Sequence, residues 1–192
     1  MTSSKVKKIT CGVYIDGSNI FGGQKEAGWW IDFDKLKKHL KSNYRPLFFN
    51  YYGGVDKSPS NIEYKKKADS QQRFYDKLNG WGYNVITKPL KYIQTGDGIK
   101  TKCDMDVEIS MDMRDDNDSE LIIIFTGDSD YCHCLNKIHS GGKFIRIYSF
   151  KERLSWELKD FAIKKPRCNY RLLDEMREEV EYVKNLDNNN NK

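Results

Sequence analysis

Three short acidic stretches hold the residues best suited to chemistry. Asp16 ends the apolar run VYI in the segment Asp16-Gly17-Ser18-Asn19. Asp128 and Asp130 follow LIIIF in Thr126-Gly127-Asp128-Ser129-Asp130. Between them, Asp104, Asp106, Glu108 and Asp112 are spread through a segment with helical patterning. Clustered carboxylates repel unless protons or a cation intervene. A donor set made only of oxygen favours Mg²⁺ or Mn²⁺, which keep several waters and bind phosphate oxygens as well. Asp is also a preferred helix N-cap, and Asp16 and Asp128 both precede a possible helix. Two such acids at strand ends together with a third cluster favour a site over two unrelated caps. On a helix, Asp106 and Asp112 stand about 240° apart and cannot both face one ion. Asp106, in the first turn, is the leading candidate of the cluster. Asp112, on the face of Met105 and Ile109, is a second and more structural one, and Asp104 is a third.

These acids need a scaffold that brings strand ends together. Five apolar or aromatic runs read as strands: Ile9–Ile15, Leu47–Tyr52, Tyr83–Thr87, Leu121–Phe125 and Phe144–Tyr148. The first, fourth and fifth are rich in Ile and lack clean alternation, as expected of parallel strands covered on both faces. Helical patterns lie between and after them at Phe33–Ser42, Asn61–Leu78, Asp104–Met113, Ser129–His139, Leu154–Phe161 and Tyr170–Val183. The alternation predicts an α/β fold with a central parallel sheet flanked by helices. Ligands of such sheets bind beyond the carboxyl ends of the strands, near the point where strand order reverses. If the order is 3-2-1-4-5, Asp16 and Asp128 end neighbouring strands and converge on one crevice.

The segments VYIDGSNIF, DMDVEISMD and IIIFTGDSDYCHCLNKIHSGGKFIRIY, in that order, resemble the NYN domain, a branch of the PIN-like metal-dependent ribonucleases. Leu154-Ser155-Trp156-Glu157-Leu158 echoes a Ser-x-x-Leu segment common in that family. The resemblance spans roughly residues 9–165 and implies a Rossmann-like PIN/NYN fold of order 3-2-1-4-5. It implies an acidic, metal-holding site of Asp16, Asp106, Asp128 and Asp130, with Asn19 orienting Asp16 or a water. It also implies hydrolysis of RNA phosphodiester bonds through water activated by Mg²⁺ or Mn²⁺. Lys-Cys-Asp-Met-Asp stands here where members often have Lys-Gly-Val-Asp, so Asp104 and Asp106 both remain open as the ligand. The hydroxyls of Ser18, Thr126 and Ser129, and the amides after Gly127, can hold phosphate oxygens or cap helices.

Charge and composition agree with a polyanionic substrate. The chain has 192 residues and a net charge of +5, yet residues 104–130 hold ten acidic residues and one basic one. An acidic island thus sits in a basic protein. Asp115, Asp116, Asp118 and Glu120 in the run RDDNDSE read as a solvated loop. Lys88, Lys91, Lys100 and Lys102 surround the end of the third strand with Tyr92 among them, and Lys91 and Lys102 are the leading phosphate contacts. Trp29 and Trp30 either pack or stack on unpaired bases of single-stranded RNA. Lys65-Lys66-Lys67 reads as a solvated helix face. Cys132-His133-Cys134 invites a zinc reading, but residues two apart on a helix point to nearly opposite sides. Five cysteines without C-x-x-C spacing fit a reducing compartment, and no apolar run has membrane-spanning length, so a cytoplasmic protein without a membrane partner is expected. Residues 1–8 are expected to be a flexible basic arm, 9–184 one domain and 185–192 a disordered Asn-rich tail, with a homodimer possible. Two competing functions are a catalytically weak RNA-binding scaffold and a phosphatase of the haloacid-dehalogenase type. The latter wants a second acid at position 18, where this chain has Ser.

Overall fold

The computed structural model describes residues 7–57, 62–96 and 98–184. The expected arm up to residue 6 and the Asn-rich tail at 185–192 lie outside the described residues. In chain order the elements are β1 (Thr10–Asp16), α1 (Gly17–Ala27), α2 (Phe33–Asn43), β2 (Arg45–Val55), α3 (Ile62–Gly80), β3 (Asn84–Pro89), β4 (Lys91–Thr95), β5 (Gly98–Lys102), α4 (Asp106–Asp115), β6 (Leu121–Phe125), α5 (Cys132–Ser140), β7 (Phe144–Ser149), α6 (Trp156–Lys164), β8 (Cys168–Leu172) and α7 (Arg177–Val180). No helix among the described residues is long and apolar enough to cross a membrane.

Six strands form one parallel sheet of order β3-β2-β1-β6-β7-β8. The five anticipated strands take the 3-2-1-4-5 order, and β8 extends the sheet beyond β7. The central strands are covered on both faces, which is why they do not alternate with polar residues. Val13, Ile15, Ile123 and Phe125 face one core with Ile20, Leu36 and Leu40. Tyr14, Ile122 and Ile124 face the other with Ile109, Leu135 and Leu158. This period of two hands successive side chains to opposite helix layers.

Two elements depart from the sequence expectations. The segment Tyr170–Val183 is not one helix: Cys168–Leu172 pairs with β7, and a 3₁₀ turn at Leu173–Met176 leads into the single turn of α7. The open edge of β7 offers hydrogen bonds that a weak local helical preference does not outweigh. Arg167, at φ 64, makes the left-handed turn that starts this strand. The second departure is the antiparallel hairpin β4–β5, which lies outside the main sheet. It carries few apolar residues and so leaves no periodic signal, although Gly96-Asp97-Gly98 is a turn sequence.

The run RDDNDSE is also not simply solvated. Asp116 is buried, and its carboxylate accepts hydrogen bonds from the Tyr14 hydroxyl at 3.0 Å and from the backbone N–H groups of Asp118 and Ser119. Lys143 Nζ lies 3.8 Å away and also donates to the Ser119 carbonyl. Asp116 therefore ties the loop before β6 to the middle of β1. Replacing it with Ala leaves the buried Tyr14 hydroxyl only the Asp112 carbonyl at 3.3 Å, removes the acceptor of the Asp118 and Ser119 N–H groups, and should cost about 2 kcal/mol in urea unfolding, against under about 0.5 kcal/mol for Asp118→Ala. Equal effects of the two substitutions would contradict this account.

Candidate metal centre

The carboxyl ends of β1 and β6 lie side by side, with Ile15 paired to Phe125. Asp16 is the next residue of β1 and also the N-cap of α1. Its carboxylate is fully engaged. Oδ1 accepts from the Ser18 hydroxyl at 2.8 Å and the Asn19 N–H at 3.1 Å, and Oδ2 accepts from the hydroxyls of Thr126 at 3.4 Å and Tyr131 at 3.3 Å. Burial pushes its pKa up, and the Asn19 and Ser18 hydrogen bonds hold it down. A cap and a site residue are thus not exclusive: one oxygen caps the helix and the other faces the acidic crevice.

Beyond β6 the chain makes a tight passage. A Cβ on Gly127 would overlap the Arg153 carbonyl, so only glycine fits there. Asn19 Oδ1 accepts from the Gly127 N–H at 2.9 Å and fastens this turn to α1. Asp128 caps the 3₁₀ turn Ser129–Tyr131 by accepting from the Asp130 N–H at 3.0 Å, and its own N–H donates to Thr126 Oγ1 at 3.2 Å. The N–H groups of Gly127, Asp128 and Asp130 are therefore spent on protein oxygens. Thr126 is fully buried, with its hydroxyl turned inward. Ser129 is half-buried at the start of the turn, and Ser18 is exposed beside Asp16.

Asp106, the first residue of α4, completes the cluster. Carboxylate oxygens of Asp106, Asp128 and Asp130 all lie within 4.8 Å of one another, a geometry that can hold a metal ion. Burial, and then the neighbouring Asp104, push the Asp106 pKa up to about 6. Asp104 lies against Asp106 and pairs with Lys102 at 3.2 Å; hydrogen bonding with the Asp106 side chain, and then with Lys102, lowers its pKa. Asp106, and not Asp104, belongs to the three-acid group. Asp112 stands apart, accepting from the Tyr52 hydroxyl at 2.7 Å.

Tyr131 is absent from the sequence-derived site. It is fully buried, and its hydroxyl lies 2.8 Å from Asp106 Oδ1 and 3.3 Å from Asp16 Oδ2. It therefore links Asp16 to the three-acid group. The only available signal was a hydroxyl-bearing aromatic directly after Asp128-Ser129-Asp130.

On the crevice's basic side, Lys91 and Lys102 sit directly opposite each other on β4 and β5. Like charges in that register are unfavourable unless an anion joins them. Lys91 is exposed, Lys102 pairs with Asp104, and Lys88 pairs with Glu108 at 2.6 Å. The side chain of Lys100 lies outside the described set. Trp29 is buried against Phe150 and cannot meet a base, whereas Trp30 is exposed. Lys67 pairs with Glu63 along α3, and Cys134 Sγ approaches the Ser110 carbonyl at 3.2 Å.

The family model of the NYN domain matches residues 10–164. The low amplitude and bright protein LabA of Synechococcus elongatus is 25% identical over 154 residues, covering 77% of each chain. A crystal structure of a protein of unknown function from Vibrio parahaemolyticus superposes with a TM-score of 0.68 at 21% identity, covering 94% of this chain and all of that one. This last likeness speaks to the fold alone.

Asp106 must lose its proton to bind a cation. Mn²⁺ affinity should therefore fall as pH drops below about 6, approaching tenfold per pH unit for one linked proton. The Tyr131 hydroxyl favours ionised Asp106, so Tyr131→Phe should move this midpoint to higher pH. Electron paramagnetic resonance titration of Mn²⁺ from about pH 5 to about pH 8 measures both effects. A flat profile, or a downward shift in the variant, would contradict the geometry.

Proposed function

We propose that this chain, which belongs to the NYN domain family of PIN-like nucleases, is a metal-dependent ribonuclease that hydrolyses phosphodiester bonds of single-stranded RNA. The observation that carries the proposal is the convergence of Asp106, Asp128 and Asp130 at the carboxyl end of the sheet. All their donor atoms are oxygen, which suits Mg²⁺ or Mn²⁺. When bound, such an ion supplies positive charge for the transition state and acidifies coordinated water.

The chain's own residues do the rest. Asp106, Asp128 and Asp130 would hold the ion, and Asp130, the most exposed of the three, is placed to orient the attacking water by accepting its hydrogen bond. Asp16 sits behind them and fixes the site through Tyr131. Ser18 and Asn19 lock Asp16 in place, and Asn19 also anchors the Gly127 turn. Lys91 and Lys102, facing each other on the hairpin, are suited to grip the phosphates of a strand entering the crevice.

Cleavage of a labelled unstructured RNA with Mn²⁺ or Mg²⁺, with and without EDTA, tests the proposal. Metal-dependent cutting is expected, and Asp128→Asn should reduce it about a hundredfold or more. Undiminished cutting by the variant would refute the site. Tight RNA binding without cutting under any of these conditions would favour the binding-scaffold function instead.

A further inference from the structure

An outward stripe runs along α1 from the acidic site. Ser18, Phe21 and Lys25 are three and four residues apart, which places them on one helix face, and all three are exposed. The stripe begins at the site itself, where the Ser18 hydroxyl donates to Asp16. Phe21 is 52% exposed, and its ring lies 5.6 Å from that of Trp30, which is 45% exposed, at an interplanar angle of 51°. Lys25 Nζ is 5.8 Å from the Phe21 ring centroid. Tyr182, also exposed, donates its backbone N–H to the Trp30 carbonyl at 2.7 Å.

The charges here are not balanced. Glu26 is held by Arg153 at 2.5 Å and Glu181 by Arg177 at 2.8 Å. Lys25 makes no ion pair among the described residues. The surface therefore offers open aromatic rings beside an uncompensated cation. That combination suits unpaired bases with their phosphates, since every base has a face to stack and duplex bases have theirs occupied. Ser18 and Phe21 are about 4.5 Å apart along the helix axis, against a rise of about 3.4 Å per nucleotide in a stacked strand.

We propose that Phe21, Trp30 and Lys25 form a subsite for the unpaired RNA flanking the cleaved bond. A base one or two nucleotides from the scissile phosphate packs on the Phe21–Trp30 rings, and its phosphate meets Lys25. The proposal rests on the ribonuclease function above. It is tested by the anisotropy of a labelled RNA of about 12 nucleotides in Ca²⁺, with a matched probe abasic beside the expected cut. Phe21→Ala and Trp30→Ala should each weaken binding about tenfold, whereas Phe21→Trp and Trp30→Phe restore it. The abasic probe should bind the wild type about tenfold more weakly and lose nothing further on the alanine variants. Melting temperature and Mn²⁺ affinity should stay at wild-type values.

If the wild type binds RNA and the alanine variants bind it equally well, the subsite is refuted and the ribonuclease function stands. If the wild type binds Mn²⁺ but no RNA, the ribonuclease function falls and the subsite with it. If the alanine variants dissociate a dimer in sedimentation, the surface belongs to a second copy of the chain and the subsite is overturned.

Discussion

Three carboxylates with oxygens within 4.8 Å of one another repel by about 3 kcal/mol per pair at the effective dielectric of a protein surface. Water and thermal motion would separate Asp106, Asp128 and Asp130 if their backbones were free to move. Asp106 carries a further load, since burial and the neighbouring Asp104 push its pKa up to about 6. The rest of the site is arranged to resist that separation. Asp128 is fixed by the turn it caps, and Asp106 by its place at the head of α4 and by the Tyr131 hydroxyl, which also meets the buried carboxylate of Asp16.

The parallel pairing of β1 with β6 makes this possible. It brings Asp16 and the Gly127 turn to the same edge of the sheet, where Asn19 closes the gap between them. Both strands are buried on both faces by opposing helix layers, so their ends are among the least mobile points of the chain. Catalytic geometry built on such ends can hold like charges close, whereas a loop would let them relax. The basic hairpin and the exposed face of α1 lie outside this frame.

Much of this was legible in residue pattern. The Ile-rich runs announced two-faced burial, and Asp16 directly after VYI and Asp128 three residues after LIIIF pointed to one crevice. Glycine beside each acid pointed to tight turns, and Gly127 is indeed pressed against the Arg153 carbonyl. What stayed hidden depended on partners distant in sequence. β8 forms because β7 has an open edge, which nothing within Cys168–Leu172 reveals. Asp116 looked solvated because its neighbours are polar, yet its partner Tyr14 lies 102 residues away. Tyr131 drew no role from the sequence, since only the folded chain shows two carboxylates meeting at its hydroxyl. That Asp106 rather than Asp104 joins Asp128 and Asp130 was likewise visible only in the folded chain.

The central claim is spatial: one divalent cation belongs among Asp106, Asp128 and Asp130. Anomalous diffraction at the manganese edge from crystals grown with Mn²⁺ locates it directly. The account predicts a peak within coordination distance of those three carboxylates, with Asp16 behind Tyr131 and outside the inner shell. A peak elsewhere, or none at a Mn²⁺ concentration that saturates binding in solution, would contradict it.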